Sequence, residues 1–512
     1  MPRTAHGAAW AAALAALWAY VLTLSPTVAW VNQGEDSGDL LVASATLGIP
    51  HPTGYPLFVL LGRVASLVPL GGLAFRINLI AALAGAAGVY FLARLVLEIA
   101  PGARGAAGAM AGALTAALVY AFSRGAWSQS VLSEVYSLNV AFLGAILWCL
   151  SRADRESSVR HLTLAAFLAG LGLTNHLLLL AAIPPLVAVA ARLALRKGIG
   201  GAGLVLLPLF AFWGYTLVLY LPIRAAQGPE FSWGVPATPR QLWWVISGAQ
   251  YARNFFTRGP IEIAHYLAAG RWVVDFGPAL GLLVLGVVGA LLAPTVGLLP
   301  VALSLAGSLA LLSAYSISDD VGYWMPVGFA VAALAGAGIA AWWDRGGGRP
   351  VVRAAALALC LAAVLTGILR NGPSVDASRD VTPYLFAARN LEVVEPNALI
   401  LSEYDGRTFS LWFYKATEFR RTKPHLVVVY KYLLVWPWYL HHLARTYRDL
   451  VVPPYAGDLD LEMNRMIARN IRRRPVYLVR PDPGLASVFQ TEPAGYPPLP
   501  FYRVTLRSAP SP

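Results

Sequence analysis

Charge is scarce in this chain of 512 residues. Asp, Glu, Lys and Arg make up 13% of it, against roughly 25% in a soluble domain. With 57% hydrophobic residues and a mean hydropathy of +0.59, that shortage excludes an ordinary soluble enzyme and marks an integral membrane protein. Cysteine is rarer still. Cys149 and Cys360 each lie inside an apolar run, so there is neither a disulfide framework nor metal-ligand spacing. No HExxH, CxxC, GxSxG or Walker pattern occurs, which withdraws support from soluble hydrolases and nucleotide-driven pumps. Acids are outnumbered, 26 against 39 Lys and Arg, for a net charge of +13. Those basic residues fall mostly in short clusters between apolar runs, as membrane-orientation signals do, rather than forming a nucleic-acid-binding face.

What the chain has in abundance is apolar helix. A span needs about 20 apolar residues. Candidates fall near 8–31, 75–98, 105–123, 135–151, 161–177, 178–195, 202–222, 273–294, 297–315, 324–343 and 353–370. The apolar stretch after Arg3 is too long for a signal-peptide core and lacks a small-x-small cleavage site, so it is expected to be the first span. Residues 55–70, interrupted by Gly62, Arg63 and Pro69, read as interfacial or re-entrant.

Arg94 with Arg104; Arg152, Arg155 and Arg160; Arg192, Arg196 and Lys197; and Arg345, Arg349 and Arg353 occupy alternate connections. The positive-inside rule assigns these to the cytoplasm. The extracytoplasmic side then receives 32–74, 124–134, 223–272, 316–323 and everything after Arg370. The expected fold is an α-helical polytopic membrane protein of about eleven transmembrane helices (1–370), followed by an extracytoplasmic α/β domain (371–512). Strands are expected at Ala398–Ser402, His425–Tyr430, Pro475–Val479 and Tyr502–Leu506, with a helix over Thr408–Thr417. No Gly-rich phosphate loop opens a helix there.

Every unusual polar motif falls on that outer side. The segment NQGEDSGDLLVASATLGIPHPTGYPLF runs from Asn32 to Phe58. Glu35, Asp36 and Asp39 lie within about one turn at a membrane exit, where desolvating a carboxylate is costly. Capping a helix over Ser37–Leu47 is the ordinary use of such acids. Three of them, followed by the rigid turn His51-Pro-Thr-Gly-Tyr-Pro56, point instead to chemistry. Asp36 is then the preferred acceptor of a proton from an attacking hydroxyl. His51, with Tyr55 beside it, either meets a phosphate or sugar hydroxyl or simply holds the turn.

Further candidates follow along the chain. WSQSVLSEVYSLN supplies Glu134 and Tyr136, an acid and an aromatic entering a span. Arg76 with Asn78 (FRINL), Arg124 and Arg224 sit at outer entrances, where a guanidinium either forks onto a phosphate or snorkels to headgroups. His176 interrupts LGLTNHLLLL and reads as a core histidine or as part of a polar cavity. Trp233 and Arg253 belong to a Trp-rich outer loop suited to a lipid surface or to sugar stacking. Asp319, beside Asp320, is the last outer acid.

At these residues the chain resembles the protein O-mannosyltransferase-like family of polytopic GT-C glycosyltransferases, once known only as a domain of unknown function, with bacterial members and an animal O-mannosyltransferase. The matching stretches are SPTVAWVNQGEDSGDLLVASATLGIPHPTGYPLFVLLG, FRINLIAAL, WSQSVLSEVYSLN, GLTNHLLLL, YLPIRAA with FSWGVP, and WWVISGAQY. They run in order from 24 to about 255; PNALILSEYDGRTFSLWFYKATEFRRTKPHLVVVY in the tail matches more loosely. Where the family has Asp-Ser-Gly-Glu, this chain has Asp36-Ser37-Gly38-Asp39, one methylene shorter. Where the family has two prolines after the histidine, Thr53 follows Pro52 here.

The resemblance implies a GT-C bundle that moves a mannose-like sugar from a polyprenyl-phosphate donor to a hydroxyl, Ser or Thr of a protein, on the extracytoplasmic face of the cell membrane. Asp36 occupies the place of the family's essential acid. The arginines would compensate the leaving phosphate, with no metal required, although Mg²⁺ or Mn²⁺ bridged by Asp36 is compatible. A lipid or glycan acceptor is the rival within enzymes, and a lipid-linked sugar transporter or flippase the rival outside them. Transporters commonly carry internal repeats, and EDSGD…HPTGYP does not recur in the second half.

Overall fold

The computed structural model describes residues 3–100, 107–196, 200–255, 276, 279–293, 295, 297–315, 321–345, 350–485 and 488–507. Each of the eleven apolar stretches holds a helical segment. These are Arg3–Leu22, Leu73–Ile99, Ala107–Ala121, Tyr136–Glu156, Val159–Leu173, Leu177–Leu195, Gly201–Ala226, Ala279–Leu292, Leu298–Ala314, Val321–Arg345 and Pro350–Val375. Six are long and apolar enough to cross a bilayer, namely those starting at Leu73, Tyr136, Leu177, Gly201, Val321 and Pro350. The protein is a multi-pass membrane protein. The first helix stops at Leu22, short of the expected Val31. Pro26 lacks the N–H that a continuing helix would need and biases Ser25 away from helical backbone.

Small residues let the helices approach closely. A Cβ on Gly112 would lie 2.2 Å from the carbonyl oxygen of Gly336, so helices Ala107–Ala121 and Val321–Arg345 touch through their backbones. Charge is segregated by helix end. Helix Tyr136–Glu156 begins at the aromatic Tyr136 and ends among ions, where Arg155 pairs with the buried Glu98. Asp154 at the same end is bridged by Arg192 at 3.2 Å and Arg196 at 3.3 Å. Arg104, Lys197 and Arg349 lie outside the described residues.

The C-terminal part contains a five-stranded sheet of order β2-β1-β3-β5-β4. Strands β1 (Leu399–Ser402), β2 (Val427–Tyr430) and β3 (Val476–Leu478) are parallel; β4 (Phe489–Ala494) and β5 (Phe501–Leu506) form an antiparallel hairpin against β3. The four expected strands are present. β4 escapes the sequence pattern because it is a polar edge strand carrying Pro493, tolerated where no inner neighbour needs its N–H.

The sheet's core continues into the segment that follows the first helix. Leu40, Leu41, Phe58, Phe231 and Trp233 are buried with Phe409, Trp412 and Tyr430. Helix Ser37–Thr46 lies directly on helix Asp405–Thr417, and Gly38 makes that contact. A Cβ there would fall 2.7 Å from the backbone carbonyl carbon of Phe409. Gly38→Val is therefore expected to force the two helices apart, at about 1–3 kcal/mol for overpacking. Its melting temperature in detergent should fall below wild type; an unchanged value would show that the interface yields freely.

Candidate functional site

The segment from Asn32 to Phe58 is shaped by local backbone rules. Helix Ser37–Thr46 ends at Leu47, in the left-handed region at φ 55°, followed by Gly48. The chain then bridges to the 231–233 segment, with Ile49 N–H donating to the Phe231 carbonyl and Trp233 N–H to the Ile49 carbonyl, both at 2.9 Å. Gly54 (φ 85°) turns the chain back and donates to the His51 carbonyl at 2.9 Å. This aims the His51 ring at the N-terminus of helix Ser37–Thr46.

Three groups converge there. Asp39 Oδ2 accepts both the His51 N–H, at 2.8 Å, and a bond to Nδ1, at 2.9 Å. On the other side of the ring, Nε2 lies 2.8 Å from the Tyr55 hydroxyl and 3.5 Å from Asp36 Oδ2. Asp36 is the N-cap residue, yet its side chain makes no capping hydrogen bond. The ordinary role of an acid at this position is thus not the one it plays. Burial pulls the His51 pKa down, but Asp36, the bond and charge of Asp39, and the charge of Glu134 outweigh it and lift the value to about 10. His51 is an imidazolium at neutral pH.

Asp36 and His51 open onto a cleft of about 1260 Å³, part of it open to solvent. One wall is aromatic: Tyr55 stacks parallel to His176 with centroids 6.0 Å apart, and Tyr136 and Tyr323 pack against the same histidine. Another part is apolar, with Leu177, Leu180, Leu311 and Phe255. Asp405, at the start of the helix after β1, closes the outer side. Burial raises its pKa, against the opposing pull of the Tyr430 hydroxyl bonded to it and the charge of His51, while Asp39 adds to the rise. No Arg or Lys is among the described lining residues, which leaves His51 as their cation.

The sequence of this region matches a known family. Residues 36–197 fit the model of the Protein O-mannosyl-transferase TMEM260 N-terminal domain. The mouse protein O-mannosyl-transferase TMEM260 is 33% identical over 214 residues, covering 40% of this chain and 29% of the mouse protein. Its Dictyostelium discoideum counterpart is 28% identical over 242 residues, covering 43% of this chain and 28% of that protein. Over this span the chain is O-mannosyltransferase-like. It aligns with under a third of either relative's length.

Solved structures share the GT-C fold over nearly the whole chain. ArnT from Cupriavidus metallidurans, bound to undecaprenyl phosphate, superposes with a TM-score of 0.58 at 13% identity, covering 96% of both chains. The Archaeoglobus fulgidus oligosaccharyltransferase, tethered to an acceptor peptide, gives 0.50 at 13% identity, covering 99% of this chain and 74% of that one.

Around the cleft the remaining candidates separate by position. Asp36, His51, Tyr55, Tyr136 and His176 line the cleft. Asp39, Glu134 and Trp233 are buried behind it, Trp233 with its ring edge-on to His51 and its N–H given to Gln250. Glu35 points outward; burial and the charge of Asp405 raise its pKa. Arg76 and Arg224 spend their donors on backbone, Arg76 on the carbonyls of Ser66 and Val68 and Arg224 on those of Leu47 and Thr46. Both arginines close helix C-termini rather than face the cleft. Asn78 ties Ser25 and Thr27 to Ser133. Arg124 and Arg253 are exposed and do not line the cleft, and Asp319 lies outside the described residues. Among the described residues no three His, Cys, Asp or Glu side chains converge as a metal site.

Sequence reasoning missed Asp405. Its only local signal was an Asp-Gly pair between a strand and a helix, 366 positions from Asp39 and so invisible without the fold.

Proposed function

We propose that this protein is a membrane glycosyltransferase that moves a mannose-like sugar from a polyprenyl-phosphate donor to a hydroxyl, Ser or Thr of a protein, on the extracytoplasmic face. The observation that carries the reading is Asp36: a carboxylate at a helix N-terminus, released from capping, set in the wall of a large cleft beside a fixed imidazolium. The family match, which begins at that residue, supports the sugar and acceptor. The ArnT fold, solved with undecaprenyl phosphate, supports the lipid carrier. The leucine-lined flank of the cleft suits an isoprenoid chain and the tyrosine wall suits a sugar face.

In the reaction, the acceptor oxygen forms a bond to the anomeric carbon while the bond from that carbon to the phosphate oxygen breaks. The hydroxyl proton passes to Asp36, and the electron pair leaves with the polyprenyl phosphate. Asp39 holds His51 by two hydrogen bonds, so the imidazolium keeps its place beside Asp36 and supplies the positive charge that Arg76 and Arg224 do not.

Purified protein supplied with radiolabelled polyprenyl-phosphate mannose and Ser/Thr peptides is expected to label the peptide. Label that crosses a liposome without joining any acceptor would instead establish a transporter and overturn the proposal.

A further inference from the structure

The sheet has a second cavity that the transfer reaction does not use. Its strand order places parallel β2 on one side of β1 and parallel β3 on the other. The chain leaves β1 toward β2 and leaves β3 toward the β4–β5 hairpin, so the two connections depart in opposite directions. In open α/β sheets the carboxyl ends of two such strands part to form the crevice in which ligands bind. A cleft of about 580 Å³, part of it open to solvent, lies at the carboxyl end of β3, beside the start of β5. It is lined by Arg407 from the helix after β1, by Val479, Arg480 and Pro481 directly after β3, and by Phe386 and Tyr502.

Two guanidinium groups share this crevice. Arg407 lies over the rings of Phe386 and Tyr404, at 5.8 and 5.9 Å, and makes no ion pair among the described residues. Arg480 donates to the Tyr404 hydroxyl at 2.7 Å and lies 6.0 Å from the same ring. The nearest acid, Glu403, is 4.0 Å from Arg480 and is shared with Lys431, whose shorter pair is to Asp482 at 2.6 Å. Two planar forks held over one aromatic ring, with one weak counter-charge, form a receptor for an oxyanion.

We infer that the crevice at the carboxyl end of β3 binds the carboxylate or phosphate group of a ligand through Arg407 and Arg480. Asp405 lines the transfer cleft while Arg407, two residues on, lines this one, so the start of one helix borders both.

The full-length protein in detergent would be titrated calorimetrically with two probes. One is inorganic phosphate, the other a peptide carrying glutamates, with its alanine counterpart as control. Saturable binding of either anion, absent for the alanine peptide, is expected, and the tighter probe identifies the source of the group. Affinity should fall about tenfold for each guanidinium removed in R407Q and R480Q. R407K/R480K, which keeps charge but loses the forks, should bind between wild type and R407Q/R480Q. Melting temperatures equal to wild type would show that the variants are folded. The site is refuted if folded R407Q/R480Q binds as wild type does, or if wild type binds neither anion. Sugar transfer is not the readout, so that outcome leaves the glycosyltransferase proposal standing.

Discussion

Asp36→Asn is expected to lower the turnover of sugar transfer about 10²–10⁴-fold with little change in KM for the donor, the range for losing a general base. The amide keeps the shape of the carboxyl group and can still accept a hydrogen bond from an acceptor hydroxyl, but it cannot take the proton. Because the Asp36 side chain makes no cap bond to helix Ser37–Thr46, its loss removes none from the fold. Asp36 is nevertheless the leading charge that keeps His51 protonated, so the melting temperature should fall modestly while unfolding stays cooperative, which separates this variant from one that merely unfolds. Transfer by a folded Asp36→Asn protein at the wild-type rate would remove the catalytic role.

Asp39→Ala should do the opposite and damage the protein itself. Asp39 is almost fully buried and receives two bonds from His51, so its removal strands a buried imidazolium. Breaking such a pair costs on the order of 3 kcal/mol or more. The pH profile carries the signature. His51 is raised to about 10 in the folded protein from an ordinary value of 6.5. Its contribution to stability is therefore full below pH 6.5 and is lost as pH rises through 10. Wild-type melting temperature should decline across that window, and the decline should flatten in Asp39→Ala. Parallel profiles for the two proteins would show that the pair does not hold His51 in its charged form.

The helices were legible because the bilayer imposes a length and a composition on each of them, and apolar runs of that length stand out from any other part of a chain. The acidic segment was legible for the converse reason, since charge at a membrane boundary is conspicuous where charge is rare. The arginines were harder. Arg76 and Arg224 carry the same local pattern whether they bind a phosphate or cap a helix, and only the positions of the Ser66, Val68, Thr46 and Leu47 carbonyls distinguish the two. Capping by Asp36, the rival reading, was likewise excluded by geometry.

From its residues alone, this chain was committed to a bundle of apolar helices with its acidic segment and rigid turn at the helix ends opposite its short arginine clusters. Hydropathy and charge bias act locally, so they can be read in order along the chain. Which acids face the cleft, which cation they hold, and that Asp405 joins them were decided by packing. Contacts between residues hundreds of positions apart, such as Gly38 on Phe409, depend on shape complementarity that no local pattern encodes.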